Sequence, residues 1–316
     1  MRVRWLGLVI LLSWLGVPAG AQQPKGNPGG LQFHRTEHFD MFAPSKEIAV
    51  AKEEMVEAAA QRFIALMGKA GPRGALVLAD PQKAQQQWAD QRPYYKHGAK
   101  WVLPWYAHHP MGENLWPAYG RTNQIGGGDP LPHEAAHLMF VFVVNSGCCA
   151  ALKQKFNGYG SYLPDWLDEG IAIYVEHQAI RDAQRELMAD NLDERIPLAE
   201  FFAMDHPGAP KIGGKPNPAA GHGFAGGFDR ARIYYMECVT ALEFLEAAAG
   251  AEGVRKIIKT LQGGSKMDKA IKHLPAHYPQ DLDGLEEVWV EWIRTGELPP
   301  APDPPQTESG GKIETK

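Results

Sequence analysis

The stretch Asp129 to Val141, D-P-L-P-H-E-A-A-H-L-M-F-V, constrains this chain more than any other, because it carries chemistry only if it is helical. His133, Glu134, Ala135, Ala136 and His137 spell H-E-x-x-H. Histidines four apart lie on one helix face, one turn above each other, so both imidazoles can reach a single ion. Glu134 is offset from His133 by about 100° around the axis, which places its carboxylate beside such an ion and not on it. Local residues favour the helix: Asp129 can cap it, Pro130 and Pro132 suit its entry, and neither Gly nor Pro follows before Gly147. Leu138 to Val144 is apolar on every side, so the helix is expected to be buried.

Two histidines do not make a catalytic metal site, which uses three protein ligands and keeps one position open. The next patterned stretch is Leu163 to Glu176, L-P-D-W-L-D-E-G-I-A-I-Y-V-E, opened by Pro164 and Asp165 and apolar at helical spacing. It brings Asp168 and Glu169 near the start of a second helix, where acidic residues would also simply complement the helix dipole. Here the chain resembles the gluzincin (peptidase MA-like) zinc metallopeptidases, in which H-E-x-x-H is followed by W-L-x-E-G-x-A. The matching residues are Trp166, Leu167, Glu169, Gly170 and Ala172. The resemblance makes Glu169 the third zinc ligand and leaves Asp168 at the variable position, as a neighbour of the ligands. The separation from His137 to Glu169 exceeds that of thermolysin-like members and is more similar to the collagenase-type and peptidase MA-like branches, which leaves the substrate class open.

The chain begins with Arg2 and Arg4, an apolar run from Trp5 to Val17, and Pro18-Ala19-Gly20-Ala21. This pattern predicts a secretory signal peptide over residues 1–21, hence export to the periplasm or beyond, with no stable membrane insertion after cleavage; an uncleaved N-terminal anchor is the lesser alternative. Residues 22–30 read as a flexible Gly/Pro/Gln leader, 31–298 as one peptidase domain, and 299–316 as a disordered Pro-rich tail. Hydrophobic residues at 44% and charged residues at 22% suit a folded body. The formal charge of −5 becomes −7 once Arg2 and Arg4 leave with the signal, and a mildly acidic chain without a basic run argues against nucleic-acid binding. Of the three cysteines, Cys148 and Cys149 are adjacent and Cys238 is distant; export permits one of the pair to bond Cys238. Their adjacency lacks the spacing of a zinc-binding cysteine loop.

Along the domain, Glu37–Ala43, Ala75–Ala79 and Lys100–Tyr106 read as strands, the last with a Pro that suits an edge. Lys46–Met67 reads as a helix ended by Gly68, and a charged helical run extends from beyond Glu176 to about Glu194. Ala118–Gly127, just before the metal helix, sits where the gluzincin group carries the edge strand that pairs with extended substrate. His108 and His109 lack a partnered spacing and are expected to be loop residues. Asp205–Asp229, rich in Pro and Gly and containing His206 and His222, is either a lid or specificity loop or a surface insertion. Ala231–Ala249 is a helix closed by Gly250, and aligning Phe244-Leu245 with the family's aromatic-Leu pair makes Tyr235, with Tyr234 beside it, the tyrosine that faces the substrate carbonyl. Helices at Gly253–Gln262, Met267–Leu274 and Leu282–Thr295 complete a helical C-terminal lobe.

The expected protein is thus α+β with a zincin-like metalloprotease fold: a mixed N-terminal sheet lobe, a helical C-terminal lobe, and the active-site helix between. Its function would be hydrolysis of a peptide or protein substrate, with Zn²⁺ on His133, His137 and Glu169, Glu134 as general base, and Tyr235 as a donor to the oxyanion. Two alternatives remain beside it: a zinc-binding but non-proteolytic protein that holds peptide or cell-wall material, and a metal-free scaffold.

Overall fold

A computed structural model describes residues 30–79, 92–107, 129–144, 163–206, 211–212, 215–216 and 228–300. The expected signal peptide, nearly all of the leader, the stretch 118–127, His108, His109, Cys148, Cys149, His222 and the tail from residue 301 lie outside these residues.

The described chain is α+β. Its N-terminal part is a four-stranded sheet in the order β1 (Gln32–Arg35), β2 (Phe39–Ala43), β3 (Gly74–Ala79), β4 (Val102–Tyr106). The first pair is antiparallel and the next two are parallel. Parallel neighbours need a crossover, and α1 (Lys46–Met67) supplies the one from β2 to β3. Ser45 caps α1 by accepting from the Ile48 amide, and Gly68, at φ 74°, ends it in the left-handed conformation. Strands buried on both faces read as continuous apolar runs, and every residue of β2 and of β3 is buried. The one charge among them, Asp40, is 1% exposed and is held by Arg35 at 2.9 Å. Among the described residues β4, which carries Pro104, is the last strand of the sheet. The short α2 (Arg92–Lys96) lies between β3 and β4.

The remainder is helical: α3 (Leu131–Val144), α4 (Asp165–Tyr174), α5 (Gln178–Asp190), α6 (Leu198–Phe201), α7 (Phe228–Gln262), α8 (Met267–Ala270) and α9 (Leu282–Thr295). Within 205–229, β5 (Lys211–Ile212) and β6 (Lys215–Pro216) form a minimal antiparallel pair. The long α7 is broken at Gly250, whose φ of 68° and ψ of 172° are far from helical, so the expected stop there is a kink between two helical segments. One continuous core runs from the inward face of the sheet, through α1 and α3, to α4, α7 and α9. Both α3 and α4 sit inside it, so the two elements expected to carry the ligands are among the most enclosed of those described. Among the described residues no helix is long and apolar enough to cross a membrane.

Candidate metal centre

The entry of α3 is anchored on three sides. Asp129 Oδ1 accepts from the Leu131 amide at 2.9 Å, which is the expected cap, and from Trp105 Nε1 of β4 at 3.3 Å. Its other oxygen pairs with Lys52 of α1. Beyond that entry the helix is buried by its apolar residues, and the pitch sets His133 and His137 one turn apart, their rings 4.8 Å between centroids and nearly perpendicular.

The second helix reaches this pair because of a glycine. A Cβ at Gly170 would lie 2.6 Å from the backbone oxygen of Cys238, so only glycine lets α4 pack so closely on α7. Glu169 is 1% exposed, and its Oε2 stands 3.4 Å from His133 Nε2 and 3.8 Å from His137 Nε2. The two Nε2 atoms are 3.1 Å apart. His133, His137 and Glu169 therefore converge, each offering one ligand atom to a common point.

Carboxylates behind the histidines decide which ring nitrogens face that point. His133 Nδ1 lies 2.8 Å from Glu176 Oε1, and His137 Nδ1 lies 2.9 Å from Asp168 Oδ1. A carboxylate only accepts, so each Nδ1 carries hydrogen and each neutral imidazole presents a lone pair at Nε2. Two such lone pairs and a carboxylate oxygen within 4 Å repel one another unless positive charge lies among them. Protons can supply it. Burial works to lower both histidine pKa values, yet the surrounding carboxylates outweigh it, raising His133 well above the usual range and His137 to about 9. Glu169 is likewise opposed by burial and held well below the usual carboxylate range by His137, His133 and His206. A metal ion answers the same demand with better geometry. Nitrogens bound at tetrahedral zinc distances stand about 3.3 Å apart, close to the spacing found. The donor set thus fits a metal ion, including the carboxylate behind each histidine that metal sites use to orient the ring.

Glu134 is half-buried on α3, between the two histidines in sequence. Tyr235 of α7 is half-buried, and its hydroxyl lies 2.8 Å from His206 Nε2, which is 3.3 Å from Glu169 Oε1. Tyr235 is thereby one side chain removed from the third candidate ligand, whereas Tyr234 is fully buried and packs at a tilt against Phe201. Two participants have no signature in the sequence: Glu176, at the far end of its segment, and His206, in a Pro/Gly-rich stretch. Asp168, one residue before Glu169, lies behind His137. Cys238 is a free, buried thiol in α7. A second grouping, Glu37, His38 and Glu57, is more exposed, and Glu57 already accepts from the Thr36 hydroxyl, the His38 amide and the His38 ring.

Compared with protein-family models, curated proteins and solved structures, the chain matches none.

Proposed function

We propose that the protein is an exported zinc-dependent metallopeptidase with a zincin-like arrangement, acting on peptide or protein substrates. The observation that carries this reading is the convergence of His133 Nε2, His137 Nε2 and Glu169 Oε2, with Nδ1 of each histidine backed by a carboxylate. Two nitrogens and one oxygen of this kind suit zinc, and three protein ligands leave a position for a reactant, as in catalytic and not in closed structural sites. Zinc held there supplies Lewis acidity, acidifying water and polarising a carbonyl.

The rest is work for the chain's own side chains. Glu134 takes a proton from the attacking water and delivers it to the departing amine, a role that typically contributes 10²- to 10⁴-fold. Tyr235 donates a hydrogen bond to the carbonyl oxygen as negative charge grows on it. Asp168 and Glu176 keep the two imidazoles in the tautomer that faces Nε2 forward. The helices that carry these groups, α3 and α4, are buried along nearly their whole lengths, which holds the groups in place.

The test is metal analysis of residues 22–316 beside a His137→Ala variant, followed by digestion of an unbiased peptide library with wild type and Glu134→Gln. About one zinc per wild-type chain, lost in His137→Ala, is expected. Glu134→Gln should retain the metal and lose turnover by at least about 100-fold. A chain that takes up no zinc on titration is the metal-free scaffold, and one that binds zinc but cleaves nothing in the library is the non-proteolytic binder.

A further inference from the structure

His206 does more than fill space beside Glu169. It follows α6 and is 4% exposed, with its backbone amide donating to Asp165 Oδ2 at 2.8 Å, at the first turn of the helix that carries Glu169. Its ring packs edge-on against both Tyr234 and Tyr235. One atom, Nε2, faces two oxygens at once: Glu169 Oε1 at 3.3 Å and the Tyr235 hydroxyl at 2.8 Å.

The hydrogen count then fixes a direction. Glu169 is a carboxylate and only accepts, so Nε2 must carry hydrogen to make that contact attractive. An imidazole nitrogen that carries hydrogen has no lone pair in the ring plane, and so it cannot accept from the phenol. The Tyr235 oxygen can only accept from the same N–H, and its own hydrogen is turned away from the imidazole. The reverse arrangement, with the phenol donating to a bare Nε2, sets that nitrogen's lone pair against Glu169 Oε1.

We infer that His206 is a positioning residue that ties the third metal ligand to Tyr235 and orients the phenol as a donor toward the substrate oxygen. The inference rests on the peptidase reading for its consequence in catalysis, while the orientation itself is a property of the folded chain. Accepting one hydrogen bond also strengthens the phenol as a donor, since linked hydrogen bonds polarise one another. An aimed donor that meets developing charge is worth about 10²- to 10³-fold in turnover.

The experiment has two arms. Long-range ¹H–¹⁵N spectra of the full mature chain, with and without zinc, report which nitrogen of His206 carries hydrogen, whatever the chain's activity. Hydrogen on Nε2 is expected; a bare Nε2 overturns the inference. In the second arm, His206→Ala should keep its zinc and lose about 100-fold in kcat with KM within about threefold. His206→Gln, whose amide NH₂ can donate to both oxygens, should recover at least tenfold of that. Tyr235→Phe should cost much less in the His206→Ala background than in wild type. Full additivity of those two substitutions, or no recovery by glutamine in a folded, zinc-loaded variant, overturns the positioning role. A wild-type chain without peptidase activity overturns the peptidase reading instead, and the spectra still decide the orientation.

Discussion

Asp168 stands 2.9 Å behind His137, on the side of the ring opposite His133 and Glu169. The carboxylate therefore acts on the candidate metal through the imidazole, by holding the tautomer and the ring plane. Removing such a partner typically costs 10- to 100-fold in metal affinity. Asp168→Ala should weaken zinc binding by about that factor, read by competition with a chelating dye, and Glu176→Ala should do the same through His133. Asp168→Asn, which keeps an accepting oxygen, should lose less. Unchanged affinity in both alanine variants would mean that the carboxylates do not orient the rings.

The metal-free protein should carry its own pH signature. Burial lowers the two histidine pKa values, but the carboxylates prevail, with His133 well above 6.5 and His137 at about 9. Folded pKa values above the unfolded value of 6.5 stabilise the fold fully below pH 6.5, and the His137 contribution is lost as pH rises through about 9. Zinc must displace these protons, so its affinity should climb with pH toward 9, and uptake at neutral pH should release protons. Calorimetry in two buffers of different ionisation enthalpy counts them. A count of zero, together with metal-free stability that does not decline between pH 6.5 and 9.5, would contradict this account.

What could be read from the sequence follows from where each signal is stored. The helix of His133 and His137 is legible because its entry, its spaced histidines and its apolar body are all local, and the W-L-x-E-G-x-A stretch directs attention to Glu169, which the fold brings beside them. Glu176 was not, since its link to His133 joins residues 43 apart in the chain. His206 has no periodic relation to another ligand, and only the packing of α4 against α7 brings it to Glu169 and Tyr235. The first strand lacks a sequence signal for a different reason: Gln32, Phe33 and Arg35 are exposed, so no alternation of buried and exposed side chains marks it. Strand direction was also invisible, because the parallel pairing of β2 with β3 depends on how α1 crosses over.

The Gly170 contact makes a steric prediction. A methyl group there meets the Cys238 carbonyl, which is backbone and cannot rotate aside. Gly170→Ala must push α4 away from α7 and carry Glu169 with it. Overpacking of this kind costs about 1–3 kcal/mol. Urea unfolding should show a lower midpoint by that amount, and zinc titration should show weaker binding in the fraction that folds. A variant as stable and as avid as wild type would show that the two helices are not in such close contact.

Glu237 offers a gain of stability. It is fully buried in α7, and Oε1 accepts from the Ile196 amide at 2.5 Å. Burial raises its pKa to about 9, with Glu286 adding to the rise, while the Ile196 amide, Arg195 and Arg230 only partly oppose it. The folded chain thus holds a proton on Glu237 that the unfolded chain releases above pH 4.5. Its contribution to stability is fully present below that pH and declines as pH rises toward about 9, by up to about 1.4 kcal/mol per unit. Glutamine keeps an oxygen for the Ile196 amide and cannot ionise. Glu237→Gln should therefore leave the melting temperature nearly unchanged near pH 5 and raise it increasingly up to pH 9. Melting curves of both proteins across that interval, with zinc held constant, would expose an error in the burial argument if the difference stayed flat or reversed.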